Sequence, residues 1–234
     1  MDNFKNLKEE AYNANIALNE QGLVIYTFGN VSAANRSEKV FAIKPSGVPY
    51  KELTPQKMVV VDFENNIIEG NLRPSSDTKT HAYLYQQWED IGGIAHTHAL
   101  YSVAWAQSLR DIPIFGTTHA DHLTQDVPCA PPMDDTLIKG DYEHNTGKQI
   151  FDCFNNRKLN YNKVEMVLVG NHGPFCWGAD AQKAVFNSRV LEEIAHMAYL
   201  TLQINPKSEK LKAALIDKHY QRKHGTKKYY GQWW

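Results

Sequence analysis

Apolar residues recur at two periods along the chain, and the switches between them predict the element order. Phe4, Leu7, Ala11, Ala14 and Leu18 fall at three- and four-residue spacing with Gly22 beyond them, which predicts an amphipathic first helix and its stop. "VFAIKPSG" reads as a strand ending in a Pro-Ser-Gly turn, and "MVVVDFENNIIEG" as a hairpin around Glu64-Asn65-Asn66. "SSDTKTHAYLYQQW" opens with capping-type residues and predicts a helix from about Thr78. "IGGIAHTH" predicts a buried strand, "ALYSVAWAQ" a helix after it, and "IPIFGTTHAD" a further strand and loop. Residues 145–156 have helical character, and "VEMVLVGNHG" reads as a strand running into a Gly-bounded loop. Ala184, Val185, Ser188, Leu191, Ile194, Ala195, Ala198 and Leu202 mark the buried stripe of a long helix. A polar helix around 208–224 leads into the aromatic tail "KKYYGQWW". Strands and helices interleave around at least one hairpin, so the pattern predicts an α/β class with a mixed or largely antiparallel sheet.

No linker-like stretch, low-complexity block or repeat period interrupts this order, and the whole of 1–234 reads as one domain. A chain of this length can bury a sizeable core. A net charge of −1 argues against a nucleic-acid partner and against adsorption to a membrane. No apolar run approaches a membrane span, and "MDNFKNLKEEAY" is acidic where a secretion leader would be basic and then apolar. Cys129, Cys153 and Cys176 form no C-x-x-C and are odd in number; reduced thiols in a cytoplasmic protein fit them best.

Histidines change the picture. His96 and His98 stand one residue apart where an apolar run ends, and residues i and i+2 of a strand share a face. The pair reads either as polar residues where a strand meets solvent or as two metal ligands. His172 in "VLVGNHGPF" leaves an apolar strand at a comparable loop, and Gly170 and Gly173 allow a bend toward the pair. Three imidazoles with an open fourth position would make a catalytic zinc arrangement. Cys176 is a candidate soft ligand but reads better as a small buried hydrophobe. His81, His119, His122, His144, His196 and His224 lack that context and read as surface or core. Separately, "FGNVS", "KPSG" and "PSSD" each offer small residues, hydroxyls and backbone N–H groups, and one adds Lys44, which suits an oxyanion; each is equally an ordinary turn. Neither G-x-x-x-x-G-K-[ST] nor G-x-G-x-x-G occurs, so nucleotides are poorly supported.

Taken in order, "FGNVSA", "IKPSG", "RPSSDTKTH", "GGIAHTHA", "GTTHAD", "NHGPFCWG" and "KHYQRKHG…YYGQ" resemble the class II aldolase/adducin family, from about residue 10 to Gln232. Within the family the resemblance is to the pentulose-phosphate 4-epimerases, which interconvert L-ribulose 5-phosphate and D-xylulose 5-phosphate. It implies a three-layer α/β/α fold around a central, mainly antiparallel sheet, and a homotetramer whose active sites lie between subunits. It implies a zinc ion, or another divalent metal, on His96, His98 and His172 with Asp77 close by. Asn30, Lys44, Ser46, Gly47, Ser75 and Ser76 would bind the sugar phosphate, and His219 and Arg222 would complete the site across the interface. Asp121 matches the family's acid/base residue on one face of the substrate, and Tyr230 of an adjacent subunit the one on the other. Asp77 stands where the family's aldolases carry a Glu, which favours the epimerase reading. Trp233 and Trp234 extend past the family pattern.

The chemistry accounts for the residue types. The C4 hydrogen of L-ribulose 5-phosphate is not acidic, and transient oxidation would require the missing dinucleotide fingerprint. Cleavage and re-formation of the C3–C4 bond remains. A Lewis acid would stabilise the ketone fragment, two opposed proton-transfer groups would serve the two epimers, and the phosphate grip would retain the aldehyde.

Overall fold

The computed structural model describes residues 4–226 and 228. Among the described residues eight strands are present: β1 (Asn30–Asn35), β2 (Val40–Ile43), β3 (Val59–Asp62), β4 (Ile67–Glu69), β5 (Gly93–His96), β6 (Cys129–Ala130), β7 (Met166–Val169) and β8 (Gly173–Gly178). They form one sheet in the order β4-β3-β2-β1-β5-β8-β7-β6, antiparallel throughout except for the β6–β7 pair. The helices are α1 (Lys5–Glu20), α2 (Thr78–Gln87), α3 (Leu100–Gln107), α4 (Thr117–Ala120), α5 (Asp135–Ile138), α6 (Tyr142–Arg157), α7 (Ala181–Ile204) and α8 (Ala213–His224).

The strand period sorts side chains into two layers. Val31, Ala33, Ala42, Val60 and Ala95 pack with Ala11, Ala14 and Leu18 of α1 and with Ala184 and Val185 of α7. Phe41, Ile43, Val59, Val61 and Ile94 join Leu84 and Tyr85 of α2 and Ile150 and Phe154 of α6 on the other side. Each fully buried Val, Leu, Ile or Phe contributes roughly 1.5–3 kcal/mol. The alanines on the α1 side let that helix lie close to the sheet. There the Asn15 amide bonds the Val31 N–H and carbonyl at 2.9 and 2.8 Å, so a helix side chain satisfies a strand backbone. The double glycine of "IGGIAH" permits a second close approach: a Cβ on Gly93 would lie 2.4 Å from the Ala181 backbone, where α7 begins.

The α/β class and the largely antiparallel sheet agree with the pattern of the chain, and the three layers with what the resemblance implies. The first helix, the β3–β4 hairpin around Asn65, the helix start at Thr78, α3 and the long α7 form where expected. "IPIFGTTHAD" differs. Ile112 makes one bridge to Val127, and Thr117–Ala120 forms a short helix instead of a loop. Pro113 has no N–H for a ladder, and the Ile114 N–H goes to the Asp126 carboxylate at 3.0 Å. "VLVGNHGPFCWG" is a hairpin of two strands turning at Asn171, whose φ is 63°. The last helix starts at Ala213, later than expected, because Leu211 is drawn aside to bond the Ile114 carbonyl. All three cysteines are buried and unpaired. Among the described residues no helix is long and apolar enough to cross a membrane.

Candidate functional site

Three segments converge at one end of the central strands. Asn30 opens β1 and sits opposite His96, the last residue of β5, which in turn sits opposite Phe175 of β8. The His96 ring stacks on Phe175 with centroids 4.3 Å apart, and its Nδ1 lies 2.9 Å from the Pro174 carbonyl. That contact assigns the proton to Nδ1 and leaves the Nε2 lone pair facing the site. His98, beyond the strand end and exposed, brings its Nε2 within 3.1 Å of the His96 Nε2. His172 is carried in by the β7–β8 turn, its ring centroid 4.7 Å from that of His96. Gly29 keeps the approach open, because a Cβ there would meet the His96 carbonyl at 2.8 Å and its φ of +76° suits glycine.

The ligand nitrogens of His96, His98 and His172 all lie within 4.8 Å of one another. Burial pushes the His96 imidazole down to about 3, helped by neighbouring His98. His172 also falls to about 3, chiefly through burial and then through His96. Both rings are therefore neutral at pH 7, the form in which imidazole binds a metal. Asp77 occupies the N-cap position of α2 but makes no capping bond; its Oδ2 accepts from the Asn30 amide at 2.7 Å. Three imidazole nitrogens, a carboxylate nearby and one open side form a donor set that fits a divalent transition metal such as zinc.

The opposite wall is built from two turns zipped together. Pro45 and Pro74 form a bridge, Ser46 N–H donates to the Arg73 carbonyl, and Ser75 N–H donates to the Lys44 carbonyl. Those two N–H groups are thus committed to the scaffold, whereas the N–H groups of Gly47 and Ser76 have no partner among the described residues. Lys44 is 2% exposed. Its ammonium lies 3.2 Å from the Thr27 carbonyl and 4.9 Å from the Tyr50 ring centroid, and burial lowers it to about 8. The Asn30 Oδ1 is buried and unpartnered, an acceptor available to a ligand hydroxyl. Both walls enclose a cavity of about 350 Å³ that Asn30, Lys44, Ser46, Gly47, Ser75, Ser76, Asp77, His96, His98 and His172 all line.

Asp121, His219 and Arg222 gather elsewhere. Asp121 accepts from Arg222 through both carboxylate oxygens at 3.0 and 2.8 Å, and its Oδ1 lies 3.0 Å from the His219 Nδ1. Burial would raise this carboxyl, but bonds from Arg222 and His219 and the Lys223 charge hold it below its ordinary value. None of the three lines the histidine cavity of its own chain. Tyr230, Trp233 and Trp234 lie outside the described residues.

Sequence reasoning missed Tyr142 and Glu143, which line the cavity at the first turn of α6. The helix starts three residues before the expected 145. Asp141 and Glu143 are acidic residues of the sort that mark a helix start and were the available signal. The Tyr142 hydroxyl is 3.5 Å from the His172 Nδ1. Beneath the site, fully buried His81 bonds Ser32, which bonds Tyr85.

Comparison with known proteins places this geometry. The Class II Aldolase and Adducin N-terminal domain family matches residues 9–199, and the chain belongs to that family. Its fold is similar to that of an L-fuculose 1-phosphate aldolase, with a TM-score of 0.77 at 24% identity over 93% of this chain and 95% of the other. YgbL from Klebsiella pneumoniae is similar at TM-score 0.69 and 24% identity, covering 91% of this chain and 97% of its own. The l-fuculose-1-phosphate aldolase from Thermus thermophilus is similar at TM-score 0.64 and 22% identity, covering 88% and 98%.

Proposed function

We propose that this family member is an L-ribulose-5-phosphate 4-epimerase, interconverting L-ribulose 5-phosphate and D-xylulose 5-phosphate by opening and re-forming the C3–C4 bond. The observation that carries the reading is the junction, in one cavity, of a three-imidazole donor set with a wall of Lys44, Ser46, Gly47, Ser75 and Ser76. A phosphorylated sugar has both ends served there. His96, His98 and His172, with Asp77 alongside, would hold the divalent metal, which supplies electrophilic stabilisation of the charge left on the ketone fragment.

The chain's own residues do the rest. Lys44 and the serine hydroxyls hold the phosphate, so the aldehyde fragment turns over without leaving. Asn30 orients Asp77 and offers its free Oδ1 to a substrate hydroxyl. Asp121 and Tyr230 accept and return the C4 hydroxyl proton on opposite faces, each contributing roughly 10²–10⁴-fold. In this reading the Asp121–His219–Arg222 cluster of one copy serves the cavity of another, which calls for an oligomer such as the homotetramer that the resemblance implies. Its separation from the cavity within one chain supports that division.

The test is incubation of zinc-loaded protein with L-ribulose 5-phosphate. Xylulose 5-phosphate should accumulate without free glycolaldehyde phosphate, and a chelator should abolish the conversion. Release of a free aldehyde at the rate of substrate loss would show an aldolase instead.

A further inference from the structure

Of the three histidines, His98 is the least anchored by its own segment. His96 is held in the β5 ladder and by the Pro174 carbonyl, and His172 by a tight hairpin turn. His98 is exposed and sits past the strand end, two residues before α3. Its backbone is bounded on one side by Thr97, whose N–H reaches the Pro174 carbonyl at 3.4 Å, and on the other by the start of that helix. Yet the residue at the N-cap position is Ala99, which has no side-chain acceptor.

The missing cap comes from another helix. Glu192, in the middle of α7 and 8% exposed, accepts from the Tyr101 N–H at 2.8 Å, the Ser102 N–H at 2.9 Å and the Ser102 hydroxyl at 2.7 Å. These N–H groups are the ones an N-cap side chain would satisfy, and a carboxylate also complements the positive end of the helix. Farther along, the Trp105 indole donates to the Ala195 carbonyl at 2.9 Å, and Tyr101 stacks on His196 with centroids 3.8 Å apart. The helix carrying His98 at its entrance is thereby strapped to α7, and α7 is set against β5 by the glycine contact at Gly93.

We propose that Glu192 is a positioning residue for the metal centre: by capping α3 from α7 it fixes the backbone that presents the His98 imidazole. The inference rests on the reading of His96, His98 and His172 as metal ligands. Without Glu192, two N–H groups at the head of α3 lose their acceptor, that turn frays, and His98 samples positions away from the other two rings. Supporting groups one step removed from a metal typically change affinity roughly 10–100-fold.

The experiment titrates metal-depleted full-length protein with Co²⁺, reading affinity and the visible d–d band, whose position and intensity follow ligand geometry. Glu192→Ala should weaken Co²⁺ binding roughly 10–100-fold and alter the band. Glu192→Gln, which keeps one acceptor oxygen, should recover part of both and carries the test if the alanine variant does not fold. Trp105→Phe loosens the same helix pair at its other end, and should leave affinity and band within about twofold of wild type by the same reasoning. Unchanged binding in both Glu192 variants overturns the proposal, as does a Trp105→Phe variant that matches Glu192→Ala. A wild-type protein that binds no Co²⁺ would instead remove the metal centre itself.

Discussion

Lys44 puts a cation where the fold does not welcome it, and its removal should stabilise the free protein. The ammonium is held from its ordinary 10.5 down to about 8 by burial. A shift of that size corresponds to about 3 kcal/mol at roughly 1.36 kcal/mol per unit. Solvent in the adjoining cavity screens part of it, leaving about 2 kcal/mol. The Tyr50 ring beneath the ammonium offsets a further 0.5–1 kcal/mol or so. Lys44→Met should therefore be more stable than wild type by about 1–2 kcal/mol at pH 7, by the same reasoning. The sign with pH follows from a base whose folded value is depressed. Below about 8 both folded and unfolded chains are protonated and the penalty is full. Between about 8 and 10.5 the unfolded chain keeps a proton that the native state has shed, so wild-type stability rises with pH. The variant lacks that rise, and the two curves should converge toward pH 10. Urea denaturation of metal-depleted protein from pH 6.5 to 10 measures this directly. Inorganic phosphate should raise the wild-type midpoint and leave that of Lys44→Met unmoved. A variant less stable than wild type at pH 7, with parallel pH curves, would refute the argument and make Lys44 an ordinary packing residue.

If the proposed function holds, Asp121→Asn should lower turnover of L-ribulose 5-phosphate roughly 10²–10⁴-fold while the metal content of zinc-loaded protein, measured by elemental analysis, stays at the wild-type level. Mixing it under subunit exchange with His172→Ala, itself inactive, should restore part of the activity if cavity and carboxylate come from different copies; no recovery would place them on one chain. Arg36 donates to the carbonyls of Tyr85, Trp88 and Ile91 where α2 ends, and its guanidinium lies 5.1 Å from the Tyr85 ring centroid. Arg36→Ala, discounted for half-exposure, should cost about 2–3 kcal/mol of unfolding free energy in urea, with the substrate KM little changed.

How much of this was legible depended on whether a residue's job could be done by its own segment. The long helices announced themselves because α1 and α7 bury a stripe at helical spacing. The three-histidine cluster was legible for a related reason: His96, His98 and His172 stand where apolar strands run out into loops, and that context survives in the sequence even though His96 and His172 are 76 positions apart. Strand β1 was not read as a strand, because its inward residues on the α2 side are Asn30 and Ser32 and not the apolar side chains that alternation leads one to expect. Ser32 is buried there by bonding His81 and Tyr85, partners that exist only once α2 is in place.

The same argument explains the remaining gaps. Tyr142 and Glu143 lie just ahead of the helical pattern that reads from 145, and the packing of α6 on α2 accompanies their place at the cavity rim. Glu192 stands next to Glu193 on a helix where acidic residues read as solvated surface. Its burial follows from an alanine at the head of a different helix, a dependence that no local window contains. Asp121 is the extreme case. The chain places it, orders it with Arg222 and His219, and directs none of the three at its own cavity. On the proposed reading its function is completed by a second copy, so it leaves no periodicity, no spacing and no contact with the cavity of its own chain to find it by, which is why a family resemblance suggested its role and the single-chain structure does not.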